Sequence, residues 1–182
     1  MSDFWRTALI LLAAVNPAAV GLAARDLLPA ERRLIALVGS AVALGAFLLA
    51  TFAADPFLDL LDIAPETFRL AAAIVLAAVG MFAVWRGRVA AAPGDGWQAG
   101  IFPAGIPLLA GPAGLAAALS LSADNGAGVS FAAAIAPVLL GGAAIAWLPG
   151  RSGAAADGLA RLLGALLVVL AAAMAVDGVR SV

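Results

Sequence analysis

The chain predicts an all-α integral membrane protein of six transmembrane helices, built as two inverted three-helix repeats, with spans 1 and 4 broken at mid-membrane. Three observations predict it. Of 182 residues, 65% are hydrophobic and 12% charged, with a mean hydropathy of +1.11; a soluble domain carries about 25% charged residues. The apolar residues fall into six runs near the ~20 residues that a helix needs to cross a bilayer. Proline-broken sites lie near the centres of two of those runs, Ala14-Val15-Asn16-Pro17-Ala18-Ala19-Val20-Gly21 and Pro107-Leu108-Leu109-Ala110-Gly111-Pro112-Ala113-Gly114.

The expected spans are Thr7–Ala24, Leu34–Ala54, Phe68–Trp85, Ile101–Ser122, Val129–Leu148 and Leu159–Val176. The first is short, and Arg6 followed by an apolar run and Pro17-Ala18-Ala19 also fits a cleaved signal peptide. The run continues to Ala24, however, beyond a signal core of about 7–15 residues. Span 1 is the preferred reading. Proline has no N–H, so Pro17 leaves the Ala13 carbonyl without its helical donor, and Pro112 does the same to Leu108. In hydrocarbon such groups must be satisfied by protein, water or solute. Paired breaks in the two halves of a chain point to a transporter's binding site.

Between spans 2 and 3, Asp55, Asp59, Asp62 and Glu66 share one face if the segment is helical. Asp55 is then the expected cap, Pro56 the first helical residue, and Pro65 the stop. Phe57, Leu58, Leu60, Leu61 and Ile63 would lie on the lipid interface. The acidic face reads as a solvated outer surface, or alternatively as a funnel for cationic solutes. Gly94-Asp95-Gly96 after Pro93, and Ala123-Asp124-Asn125-Gly126, read as turns. The former marks the boundary between repeats. Trp5, Trp85, Trp97 and Trp147 lie near span ends, as an interfacial aromatic belt requires.

Arginine placement orients the spans, because positive loops stay cytoplasmic. Arg25, Arg32, Arg33, Arg86, Arg88, Arg151 and Arg161 fall on one side, and Arg6, Arg69 and Arg180 on the other. Both termini are therefore expected in the periplasm. Pro17 and Pro112 are 95 positions apart, Arg69 and Arg161 are 92 apart, and Met81 and Met174 are 93 apart. The near-constant offset divides a single domain, 1–182, into repeats 1–90 and 95–182. Three spans per repeat force the second copy to insert upside down.

The chain has no cysteine and no histidine. That excludes disulfides, thiolate and imidazole metal sites, and histidine-dependent catalysis. No buried acidic pair is in view either, so the chain reads as no enzyme, with no cofactor and no metal. A net charge of −1 gives no footprint for nucleic acid. The expected partners are the lipid bilayer and a small-molecule solute; a homo-oligomer is left open.

Asn16 is the only carboxamide deep in a span. Its amide can donate to and accept from a solute, or can tie two helices together. Pro17, Pro107, Gly111, Pro112 and Gly114 complete the candidate substrate pathway. Arg69 and Arg161 open spans 3 and 6 and read as interface anchors, or as ion pairs, with Asp62 or Glu66 for the former and Asp157 for the latter.

In these stretches the chain resembles the MarC family of bacterial inner-membrane proteins, which includes neutral amino acid transporters and lies within the wider LysE-type exporter group. The resemblance is carried by Asn16-Pro17, Phe68-Arg69-Leu70-Ala71, Ile106-Pro107-Leu108-Leu109-Ala110-Gly111-Pro112, Arg161-Leu162-Leu163-Gly164, Met174 and Asp177-Gly178-Val179. It implies six spans in a three-plus-three arrangement, the inner membrane, and transport of a small solute. Ala19, Ala113 and the pair Ala72-Ala73 stand where the family usually has glycine, so both central sites are bulkier here. The rival readings are an intramembrane hydrolase or transferase, and a membrane scaffold that binds a partner subunit.

Overall fold

The protein is described by a computed structural model covering residues 3–26, 31–86, 96–148 and 153–180. Among these residues it is all helix and turn. The chain runs through α1 (Asp3–Val15), α2 (Pro17–Ala23), a 3₁₀ turn, α3 (Arg32–Phe52), α4 (Ala54–Leu60), α5 (Pro65–Arg86) and α6 (Gly96–Ala99). A π-helical segment (Gly100–Leu109), α7 (Pro112–Asn125), α8 (Ala127–Trp147) and α9 (Gly153–Arg180) follow. Among the described residues, five spans are long and apolar enough to cross a membrane, the first being α1 with α2; a sixth forms if Gly96–Leu109 and Pro112–Asn125, bent by 60°, count as one. Each overlaps an expected span, with ends that differ by up to six residues. The turn predicted at Pro93-Gly94-Asp95 lies outside the described residues.

The outward faces are apolar: Leu37, Leu49 and Ile74 are each over 70% exposed. A soluble protein does not leave such patches uncovered; a lipid-facing one must. All four tryptophans are exposed at or near helix ends, as expected of interfacial anchors. The interior is largely alanine and glycine, because lipid supplies no hydrophobic drive for helix association and close backbone approach has to supply the cohesion.

Helix α5 lies along α9, and α3 packs on α8 and on the π-helical segment. Glycines set the closest approaches. A methyl group placed at Gly80 would stand 2.7 Å from the Gly164 carbonyl oxygen, and one at Gly164 would stand 2.9 Å from that of Gly80. Gly178, near the end of α9, meets Leu70 and the Glu66 carbonyl near the start of α5. At the opposite end, the Arg161 guanidinium donates to the Val84 carbonyl at 2.8 Å. The two helices are therefore antiparallel along the length of α5.

The segment between spans 2 and 3 departs from expectation in four ways. The cap of α4 is Ala53 rather than Asp55, and no side chain bonds there. Leu58 is buried rather than at the lipid interface, because α4 lies against α7 and its inward face needs an apolar residue. Pro65 opens α5 instead of ending the preceding helix, which suits a residue whose missing N–H costs nothing in a first turn. The helix ends earlier, at Leu60, and Asp62 takes a left-handed conformation (φ 52°) just beyond it. The four carboxylates therefore do not share a continuous helical face. Similarly, Ala123, Asp124 and Asn125 are the last turn of α7 rather than a loop, and Gly126 (φ 87°) makes the turn alone.

Candidate functional site

The first break is made by one residue. Asn16 is left-handed (φ 49°, ψ 70°) and sits between α1 and α2. Asparagine tolerates that conformation better than other chiral residues because its short side chain can bond locally. Here the Asn16 Oδ1 accepts from the Ala19 N–H at 3.2 Å, capping α2. Its Nδ2 donates to the Ala160 carbonyl of α9 at 2.9 Å. Pro17 follows at the first helical position, where its lack of N–H is harmless. The side chain is 6% exposed.

The second break is spread along the chain. Phe102 (φ −136°, ψ 123°) and Ile106 (φ −128°, ψ 124°) are extended inside the π-helical segment. Each precedes a proline, to which a cis peptide bond joins it. Ala110 and Gly111 are also non-helical, and α7 begins at Pro112 with no side-chain cap. The sequence marked Pro107 and Pro112 as disruptive but gave no weight to Pro103, which breaks the helix in the same way.

Asn16, Pro107, Gly111 and Pro112 line one cavity of about 510 Å³. Its remaining walls are almost wholly alkyl, from Ala13, Val15 and Val20 in the first span to Ala78, Val79 and Phe82 of α5 and Leu167 of α9. Two of the expected pathway residues lie elsewhere. Pro17 faces a second cavity of about 620 Å³ between the first span, α8 and α9. Gly114 packs against the Phe47 ring, which an added methyl would approach to 3.0 Å. The α5 wall was not foreseen, because Ala78, Val79 and Phe82 look like any other stretch of an apolar helix.

Both expected anchor arginines are in ion pairs. Arg161 pairs with Asp157 on its own helix at 2.8 Å, as its spacing suggested. Arg69 finds a carboxylate on α7, at Asp124, where the sequence had offered Asp62 and Glu66. A third pair joins Arg6 of α1 to Asp177 of α9. Arg6, Arg69, Asp124 and Asp177, with Asp3 and Asn125, line a polar cavity of about 340 Å³. Among the described residues, no group of three or more acidic side chains is placed to hold a metal ion.

No curated protein and no solved structure matches the chain. The family model described as MarC family integral membrane protein matches residues 1–182, and with six hydrophobic stretches folded as above, the chain belongs to the MarC family of multi-pass membrane proteins.

Proposed function

We propose that this protein is a transporter of a small solute, and that the solute binds in the cavity between the two broken spans. The observation that carries the reading is that Asn16, Gly111 and Pro112, from breaks far apart in sequence, line the same cavity. Broken helices at membrane depth are tolerated where they are buried in protein or line a cavity. The cavity's volume suits a metabolite, and its alkyl walls suit a solute with a substantial apolar part. Its polar features are few. The N-terminus of α7 has no side-chain cap, so its first N–H groups and positive dipole end favour a carboxylate. A neutral amino acid with an apolar side chain combines both properties. Asn16, with both ends of its amide already bonded to backbone, shapes the wall rather than gripping the solute.

The element order supports two inverted repeats, 1–90 and 95–182, in one domain. Each has a broken span followed by two long helices, and the last helices of the two, α5 and α9, are antiparallel. Alternating access would then rock one repeat against the other around the cavity. The arginine bias supports a bacterial inner-membrane protein with both termini in the periplasm. The absence of histidine and cysteine from the chain argues against an enzyme. Flux of neutral amino acids into proteoliposomes tests the reading. Val79→Trp, which fills the cavity from α5, should abolish that flux while leaving the protein folded. Unchanged flux in the filled protein would overturn the site. A reconstituted protein that moves no small solute would favour a scaffold instead.

A further inference from the structure

Four helix faces connect the apolar cavity to the polar one. On α1 the stripe runs through Asp3, Arg6, Ile10 and Ala13, and on α5 through Arg69, Ala73, Leu76 and Val79. On α7 it runs through Asp124, Leu121, Ala117 and Ala113, and on α9 through Asp177, Met174, Ala171 and Leu167. Steps of three or four keep each stripe on one face of its helix. Each begins in the polar cavity and ends in the apolar one. At a rise of about 1.5 Å per residue, the two cavities lie about 10–14 Å apart along the helices. The layer between them is closed: Ile10, Ala73, Leu76, Ala117 and Ala171 are each at most 2% exposed and belong to one apolar cluster.

The polar cavity is spanned by two ion pairs. Arg6–Asp177 joins α1 to α9, and Arg69–Asp124 joins α5 to α7. Both cross from the first half of the chain to the second. The Arg69–Asp124 side chains are only 17% and 23% exposed, so solvent screens that pair less than a surface one. Asn125 adds a bond to Thr7 Oγ1 at 3.2 Å, again between the halves.

We propose that Arg6–Asp177 and Arg69–Asp124 are latches that hold this end of the solute pathway shut, and that the axis enclosed by α1, α5, α7 and α9 is the pathway itself. The inference rests on the transport reading for its purpose, but the latch is a statement about access and can be measured without a solute. Breaking both pairs removes the charged ties between the halves at this end and leaves the Asn125–Thr7 and Ser122–Thr51 hydrogen bonds with the apolar layer to hold it closed. The open state then gains population. The charges also suit the traffic: the paired guanidinium and carboxylate groups can exchange partners with the two ends of a zwitterion as it passes.

The native chain lacks cysteine, so Val79→Cys places a single thiol in the apolar cavity. In proteoliposomes, a membrane-impermeant thiol reagent added on the side of Asp124 and Asp177 should modify it slowly. Combining Val79→Cys with Arg6→Gln and Arg69→Gln should speed modification about tenfold, two weak ion pairs together accounting for a factor of that order. Exchanging the charges, Arg69→Asp with Asp124→Arg, should return the rate toward the parent's. A folded double-Gln protein that reacts at the parent rate overturns the latch. As a second arm, Arg6→Cys with Asp177→Cys allows a reversible disulfide. If the cross-linked protein keeps full solute flux, the latch is wrong and transport stands. If the latches control thiol access but no solute is ever moved, the transport reading fails and the latch stands.

Discussion

In the first span the chain leaves the helix at one residue, Asn16, whose side chain caps the next helix and ties the break to α9. In the fourth it leaves at Phe102, at Ile106 and again at Ala110–Gly111, and no side chain caps either the π-helical segment or α7. What holds that segment is its fit against α3. A methyl at Gly100 would stand 2.6 Å from Val38 Cβ, and one at Gly105 would stand 2.8 Å from Val42 Cγ1. The first break is thus a point feature specified by hydrogen bonds. The second is a distributed feature, imposed by prolines and kept in place by close packing. One substitution can erase the first; the second has to be pried away from its neighbour.

That contrast is broken most severely at Gly100. Overpacking a close contact costs about 1–3 kcal/mol, and the clash here is with a β-branched residue that has little freedom to move. Gly100→Val should therefore lower stability by about 2–3 kcal/mol in a detergent unfolding titration. Adding Val38→Ala should recover only part of the loss, since it removes Cγ1 at 2.8 Å but keeps the Cβ at 2.6 Å. Equal stability of Gly100→Val and the parent would show that α3 does not hold the fourth span.

A smaller effect is expected at Asn16. Losing an N-cap costs about 0.5–2 kcal/mol, and an interhelical hydrogen bond in a membrane about 0.6 kcal/mol on average. Asn16→Ala should cost about 2 kcal/mol in all, because alanine also strains in the left-handed region. Asn16→Gly loses the same two bonds but not the conformation, so it should be about 1 kcal/mol milder. Thermal unfolding of the two variants side by side checks this. If they melt together, the left-handed geometry is not what asparagine contributes.

The spans, the proline breaks and the interfacial tryptophans were legible because each follows from a local rule: apolar length, a missing N–H, an amphipathic ring. The contents of the site were legible only in part. Asn16, Pro107, Gly111 and Pro112 stood out chemically and share a cavity. Pro17 and Gly114 carried the same signal yet face other neighbours, since a helix rotates by about 100° per residue and the sequence does not say which way a break turns it. Val79 and Phe82 gave no signal, because an alkyl wall is indistinguishable from a lipid-facing stripe. Asp124 read as a turn residue and Asp177 only as part of a stretch that carries the family resemblance. Their ion pairs join positions 55 and 171 residues apart, a separation no local pattern encodes.

The finest test of the comparison is Pro17→Ala, which asks whether proline or asparagine keeps the first span broken. Alanine restores an N–H, and the Ala13 carbonyl is the acceptor an unbroken helix would offer it. To reach that carbonyl the chain must turn Asn16 right-handed, which gives up the Ala19 cap and the bond to Ala160. The hydrogen bond gained is worth about 1 kcal/mol net. The bonds lost are worth about the same or slightly more. The balance favours leaving the break as it is, provided the new N–H meets water in the second cavity, which Pro17 lines; left dry it would cost about 1–3 kcal/mol. Pro17→Ala should therefore shift stability by less than about 0.5 kcal/mol, and a thiol at Val79→Cys should keep its parent reactivity. Stabilisation well beyond that, with loss of thiol reactivity as the straightened span collapses the cavity, would mean that proline was the restraint. The first break would then be the same kind of object as the fourth.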